Sequence, residues 1–126
     1  MLQKGKKMTD EDKVYFTPDF SDNRDQPEED QVWLELLPMT AEEIRSYQRG
    51  MATVKANSRE AYERAGKVVA RILKDRVLAI HNYTDIKGKE ISNGEELYLR
   101  GEPGMIDAAY EGLTEISTLR KGLRKN

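Results

Sequence analysis

The sequence predicts a mainly α fold with a small N-terminal β-ribbon, an α+β chain built on one domain. Three observations predict it. Residues 58–80, SREAYERAGKVVARILKDRVLAI, carry the longest uninterrupted helical pattern. On a helical wheel Ala61, Tyr62, Ala65, Val68, Val69, Ile72 and Leu73 share one face, with Glu60, Glu63, Lys67, Arg71 and Lys74 opposite. Two β-prone runs, Val14–Thr17 and Val32–Leu37, are each stopped by a proline, Pro18 and Pro38. Helix-start signals recur elsewhere, so helices are expected at about 40–50, 58–80, 93–100 and 103–122.

Residues 1–13 are charged and aperiodic, and are expected to be mobile unless a partner orders them. Pairing of Val14–Thr17 with Val32–Leu37 gives an antiparallel ribbon, joined by the turn-rich acidic loop DFSDNRDQPEEDQ. Two strands alone are marginal, so the ribbon must pack on the helices. Residues 1–31 therefore read as an acidic, partly flexible arm with a short strand, and 32–126 as a single helical domain.

Thr40-Ala41-Glu42-Glu43 is a capping box, after which Ile44 and Tyr47 point inward. Residues 51–57 read equally as a continuation of that helix or as a loop, and Asn57 or Ser58 caps the long helix. Beyond Ile80 the helical period is lost, and Lys87-Gly88 marks a turn. Ser92-Asn93-Gly94-Glu95-Glu96-Leu97 starts a short helix that Gly101 closes. Pro103 opens the last helix, where Met105, Ile106, Ala109, Leu113, Ile116 and Leu123 share a face. Gly112 allows close approach there. The long helix is expected to pack its stripe on this last helix.

The 126 residues are 35% charged and 37% hydrophobic, so part of the chain adds little to a modest core. Residues 1–31 hold five basic and nine acidic side chains, whereas 55–81 hold seven basic and three acidic. Arg120, Lys121, Arg124 and Lys125 close the chain with no acid among them. Such opposed blocks favour contact between arm and long helix, or charge-complementary assembly, including a homo-oligomer. With no cysteine, disulfides and thiolate metal sites are excluded. No apolar run approaches the roughly 20 residues needed to span a bilayer, so no membrane partner is expected.

No motif for catalysis, cofactor or metal emerges. His81 is the single histidine and lacks a recognisable nucleophile or ligand set, which reads as a structural or surface role. Glu42/Glu43 and Glu95/Glu96 point about 100° apart and read as caps and dipole partners rather than catalytic pairs. The chain lacks GxxxxGK[ST], and Asp19–Asp30 lacks the oxygen order of a calcium loop. Arg76 interrupts the apolar stripe. Either it pairs with an acid of the last helix, Asp107 or Glu111, or, as the simpler reading, the helix bends near Asp75 or Arg76 snorkels to the surface. Trp33, Tyr15, Phe16 and Phe20 concentrate aromatics in the N-terminal third. They pack the ribbon or offer a patch to another protein. The candidate partner-binding residues are Trp33, Tyr15 and Phe16, with the cations Lys67, Arg71, Lys74 and Arg76.

The run VWLELLPMTAEEIRSYQR resembles the strand, Leu-x-Pro-Leu-Thr and helix opening of small phage tail assembly chaperones. RVLAIHNYTDIKGKEISNGEELYLRG, followed by a helix ending ISTLRKGLRKN, is similar to the rest of that family's layout, so the likeness covers roughly 32–126. The resemblance implies a non-enzymatic protein of the host cytoplasm that binds the tape-measure and tail-tube proteins during tail morphogenesis. It transfers no catalytic residue. Two alternatives are a structural virion component, either a connector or a tail-associated subunit, and a small nucleic-acid-binding regulator using Lys67, Arg71 and Lys74. The sequence pI near 5.6 weighs against the last, and nucleic acid is not an expected partner.

Overall fold

The computed structural model describes residues 12–54 and 59–125. Of residues 1–13, expected to be mobile, 1–11 fall outside them, as does the cap at Asn57 or Ser58, whereas Asp12 is buried and Lys13 pairs with Glu35. The architecture is α+β. Strands β1 (Val14–Phe16), β2 (Trp33–Leu36) and β3 (Val77–His81) form an antiparallel sheet in the order β1-β2-β3. Helices α1 (Ala41–Val54), α2 (Arg59–Arg76), α3 (Gly94–Arg100) and α4 (Pro103–Lys125) complete the fold.

The predicted ribbon pairs as expected, Val14 opposite Leu36 and Phe16 opposite Leu34. It gains a third strand from residues expected to be helical. The long helix stops at Arg76, and Val77–Ile80 cross into β3 instead of continuing it. The cause lies in the register. Leu36 pairs with Val77, Glu35 with Ala79 and Leu34 with Ile80, so a bulge takes up Leu78. The bulge puts Val77 and Ile80, three residues apart, on the same face. That spacing imitates helical periodicity, and a short apolar run is ambiguous between strand and helix by period alone. Helix α1 also continues past residue 50 to Val54, and α4 runs past 122 to Lys125.

All four helices contribute to one side of this sheet. Leu34, Leu36, Val77 and Ile80 project inward to meet Ile72 and Leu73 of α2, Leu97 of α3 and Met105, Ala109 and Leu113 of α4, with Ile44 and Tyr47 of α1 packed against them. Helix α2 lies closest to α1 and α3, and it shares the core with α4 through Ile72 and Leu73. Tyr62, assigned to the apolar stripe, is instead 60% exposed. Phe16 faces inward too: a side chain at position 112 would run into its ring, so Gly112 lets α4 cross β1 closely. Ser117 ties α4 to the chain after β2, accepting the Met39 N–H at 2.8 Å and donating to Leu113 O at 2.6 Å.

Both helix caps form. Thr40 Oγ1 accepts the Glu43 N–H at 3.1 Å while Glu43 Oε1 accepts the Thr40 N–H at 2.8 Å. Asn93 Oδ1 accepts the Glu96 N–H at 2.9 Å, and Glu96 Oε1 accepts the Ser92 N–H at 2.7 Å. Arg76 ends α2, and its partner is Glu43 rather than Asp107 or Glu111. Its Nε donates to both Glu43 carboxylate oxygens, at 2.9 and 3.1 Å, with the side chains 16% and 21% exposed. Glu43 thus serves a cap and an ion pair at once. Replacing Glu43 by Ala should therefore cost about 2–3 kcal/mol. Arg76→Met should cost only about 1 kcal/mol, because Met keeps the stem packing and Glu43 keeps its cap. Urea denaturation of both variants checks this, and a stabilised Arg76→Met protein would contradict the pairing.

The acidic loop is folded against the sheet end. Asn23, 5% exposed, donates through Nδ2 to Pro18 O (2.9 Å) and Val32 O (3.0 Å), while its Oδ1 accepts the Val32 N–H (2.8 Å). Asn82 Nδ2 donates to Gln31 O at 3.0 Å. Among the described residues, the carboxylates of Asp19, Asp22, Asp25, Glu28, Glu29 and Asp30 enter no ion pair, with α2 or any other element. Among the described residues, the expected salt contact with the long helix is therefore not made by this loop, and the rest of the acidic arm up to residue 11 lies outside them.

Candidate functional site on the open sheet face

Alternation along the strands sorts their side chains onto two faces. The core cluster takes strand residues from the inner face alone. The outer face presents Tyr15 from β1, Trp33 and Glu35 from β2, and Ala79 and His81 from β3. Cross-strand neighbours on such a face touch, and these do. Trp33 and His81 stack with ring centroids 3.8 Å apart and planes 15° off parallel. Tyr15 meets Trp33 edge-on at 5.6 Å and 79°. The result is a three-ring platform whose outermost ring, Tyr15, is 67% exposed.

Glu35 holds the platform in place. Its Oε2 lies 2.7 Å from His81 Nε2, and its Oε1 accepts from Lys13 Nζ at 3.1 Å. The hydrogen bond to His81, and after it the one from Lys13, holds the Glu35 carboxyl below its ordinary value of 4.5, against the opposing effect of burial. A carboxyl with a depressed folded-state pKa contributes stability that is full above its unfolded value and is lost as pH falls through the folded value. The melting-temperature gap between wild type and Glu35→Gln should therefore be full above about pH 5 and narrow as the pH falls below it. A gap that stays constant on acidification would contradict the role assigned to Glu35.

The Glu35–His81 pair has the form of a base with its orienting carboxylate. Among the described residues His81 hydrogen-bonds to Glu35 alone, and no hydroxyl reaches the imidazole. No three His, Asp or Glu side chains cluster to hold a metal ion among those residues. What this geometry can do is present a fixed aromatic surface. Beside it, β1 is an edge strand, and no described strand pairs with its free side.

The predicted partner-binding residues divide. Tyr15 and Trp33 come together on the platform. Phe16 is on the inner face, packed against α4 and under the Arg24 guanidinium 5.7 Å from its centroid. Lys67, Arg71 and Lys74 line a separate cleft of about 400 Å³ between α2 and α3, with Glu95, Tyr98 and the 73%-exposed Leu99. Arg76 pairs with Glu43 and lines neither patch. Sequence reasoning missed Glu35 and the imidazole of His81 as parts of the platform. The Trp33-x-Glu35 alternation was a usable signal for Glu35, whereas His81 needed the β3 register.

No family model, curated protein or solved structure matches this chain. No helix among the described residues is long and apolar enough to cross a membrane.

Proposed function

We propose that this protein is a non-enzymatic assembly factor that binds another protein chain on the open face and free edge of its sheet. The specific reading is a phage tail assembly chaperone acting in the host cytoplasm on tape-measure and tail-tube proteins. The observation that carries the binding reading is the Tyr15–Trp33–His81 platform beside edge strand β1. Rings already fixed by stacking and by Glu35 lose little conformational freedom when a partner covers them, and Trp and Tyr dominate binding hot spots. An edge strand supplies backbone hydrogen bonds to an extended partner segment while the platform takes its side chains. The tail-chaperone reading draws its support from the order of motifs across 32–126.

Co-expression with a tape-measure protein tests the reading. The long apolar-striped protein should shift from the insoluble to the soluble fraction when this chain is present. Unchanged solubility would contradict the chaperone role. Mass spectrometry of purified particles separates the structural alternative, since a chaperone is absent from finished virions and a virion subunit is retained.

A further inference from the structure

The segment between β3 and α3 is a tightly built hairpin with an unusual tip. Thr84 bridges Glu90, Ile91 N–H donates to Tyr83 O at 3.0 Å, and Asp85 N–H donates to Lys89 O at 2.8 Å. Asp85 organises the turn from within. Its Oδ1 accepts the N–H groups of Lys87 and Lys89, both at 2.9 Å, and its Oδ2 accepts from Arg100 Nη1 at 2.6 Å. Gly88 takes φ +82°, as the turn requires. Turn tips are ordinarily polar, yet this one presents Ile86 at 99% exposure, flanked by Lys87 and Lys89. An aliphatic side chain on a turn fixed by so many hydrogen bonds is a preorganised knob.

Elsewhere on the same chain lies a cleft of matching character. Tyr47 of α1 and Tyr110 of α4, with centroids 4.2 Å apart, form the aromatic part of an open hollow of about 540 Å³. Asp107, Glu111 and Glu115 line the same hollow. Among the described residues these three carboxylates form no ion pair, and neither do the ammonium groups of Lys87 and Lys89. At 99% exposure Ile86 touches no cleft within its own chain.

We infer that Ile86 of one copy seats between Tyr47 and Tyr110 of a second copy, with Lys87 and Lys89 facing Asp107, Glu111 and Glu115. Knob and cleft are different surfaces, so the contact is head-to-tail, and it propagates into a ring or an open chain. The inference does not rest on the function proposed above, since it needs only this chain.

Sedimentation velocity on the full chain tests it, at low salt and across protein concentrations. The wild type should associate as concentration rises, and added salt should weaken the association. Ile86→Ser should weaken it at least about tenfold. The Lys87→Glu/Lys89→Glu and Asp107→Lys/Glu111→Lys variants should each be monomeric alone and should associate when mixed, because each then offers the other an opposite charge at both contacts. All the substituted positions are exposed, so the three variants should fold, which circular dichroism checks independently. A wild type that stays monomeric overturns the inference, even if Ile86 then proves to bind a different protein. So does an Ile86→Ser chain that assembles like wild type, or a pair of charge variants that fail to associate on mixing.

Discussion

Gly94→Ala is expected to destabilise the protein by about 3 kcal/mol or more, a large share of the roughly 5–15 kcal/mol of a typical domain. A Cβ at this position runs into the carbonyl oxygen of Leu73 and comes within 3.0 Å of Val77 Cβ. The obstacle is backbone at the junction of α2 and β3, and no rotamer change relieves it. Either α3 lifts off, exposing the fully buried Ile91 and Leu97, or the sheet edge moves. Position 112 offers a useful contrast. There the three atoms nearest an added Cβ all belong to the ring of Phe16, a side chain rather than backbone. Gly112→Ala should therefore cost less than Gly94→Ala in guanidinium denaturation, and the reverse order would contradict the packing described.

The second large effect is expected at Asn23. Replacing it by Ala removes three buried hydrogen bonds and leaves the Val32 N–H and the carbonyls of Pro18 and Val32 without their partner. Unsatisfied buried groups set the scale, so the loss should be about 3 kcal/mol. Val32 is where the chain enters β2, directly before Trp33, so the change should also loosen the platform. Trp33 fluorescence is the local reporter, and denaturation the global one. A variant with wild-type stability would show that the acidic loop is held by something other than Asn23.

Much of the fold is legible in the sequence where the determinants are local. Thr40 with Glu43 and Asn93 with Glu96 are neighbours three apart, and both make the caps their spacing implies. Pro18 and Pro38 bound the two ribbon strands for a similarly local reason. What escaped reading depends on partners distant in the chain. Arg76 finds Glu43 across 33 positions, and nothing near Arg76 distinguishes that acid from Asp107 or Glu111. Val77–His81 becomes a strand because β2 has a second edge to pair, and the bulge disguises its period as helical. Asn23 sits among turn formers and acids, and its burial follows from Pro18 and Val32 folding around it. The same distinction divides the candidate site. Tyr15 and Trp33 stand out as aromatics on β-prone runs. The third ring, His81, joins them only once β3 is known to be a strand, and Glu35 joins His81 across 46 positions.

Partner binding on the open sheet face is tested most directly by the affinity of Tyr15→Lys for the tape-measure segment kept soluble in co-expression, by isothermal titration beside wild type. Tyr15 is 67% exposed and its backbone pairing is independent of its ring, so the variant should melt with the wild type. Binding should be at least about tenfold weaker, the loss of roughly 1.4 kcal/mol from one platform ring. Wild-type affinity in a folded Tyr15→Lys protein would contradict the claim that the open sheet face is where the partner binds.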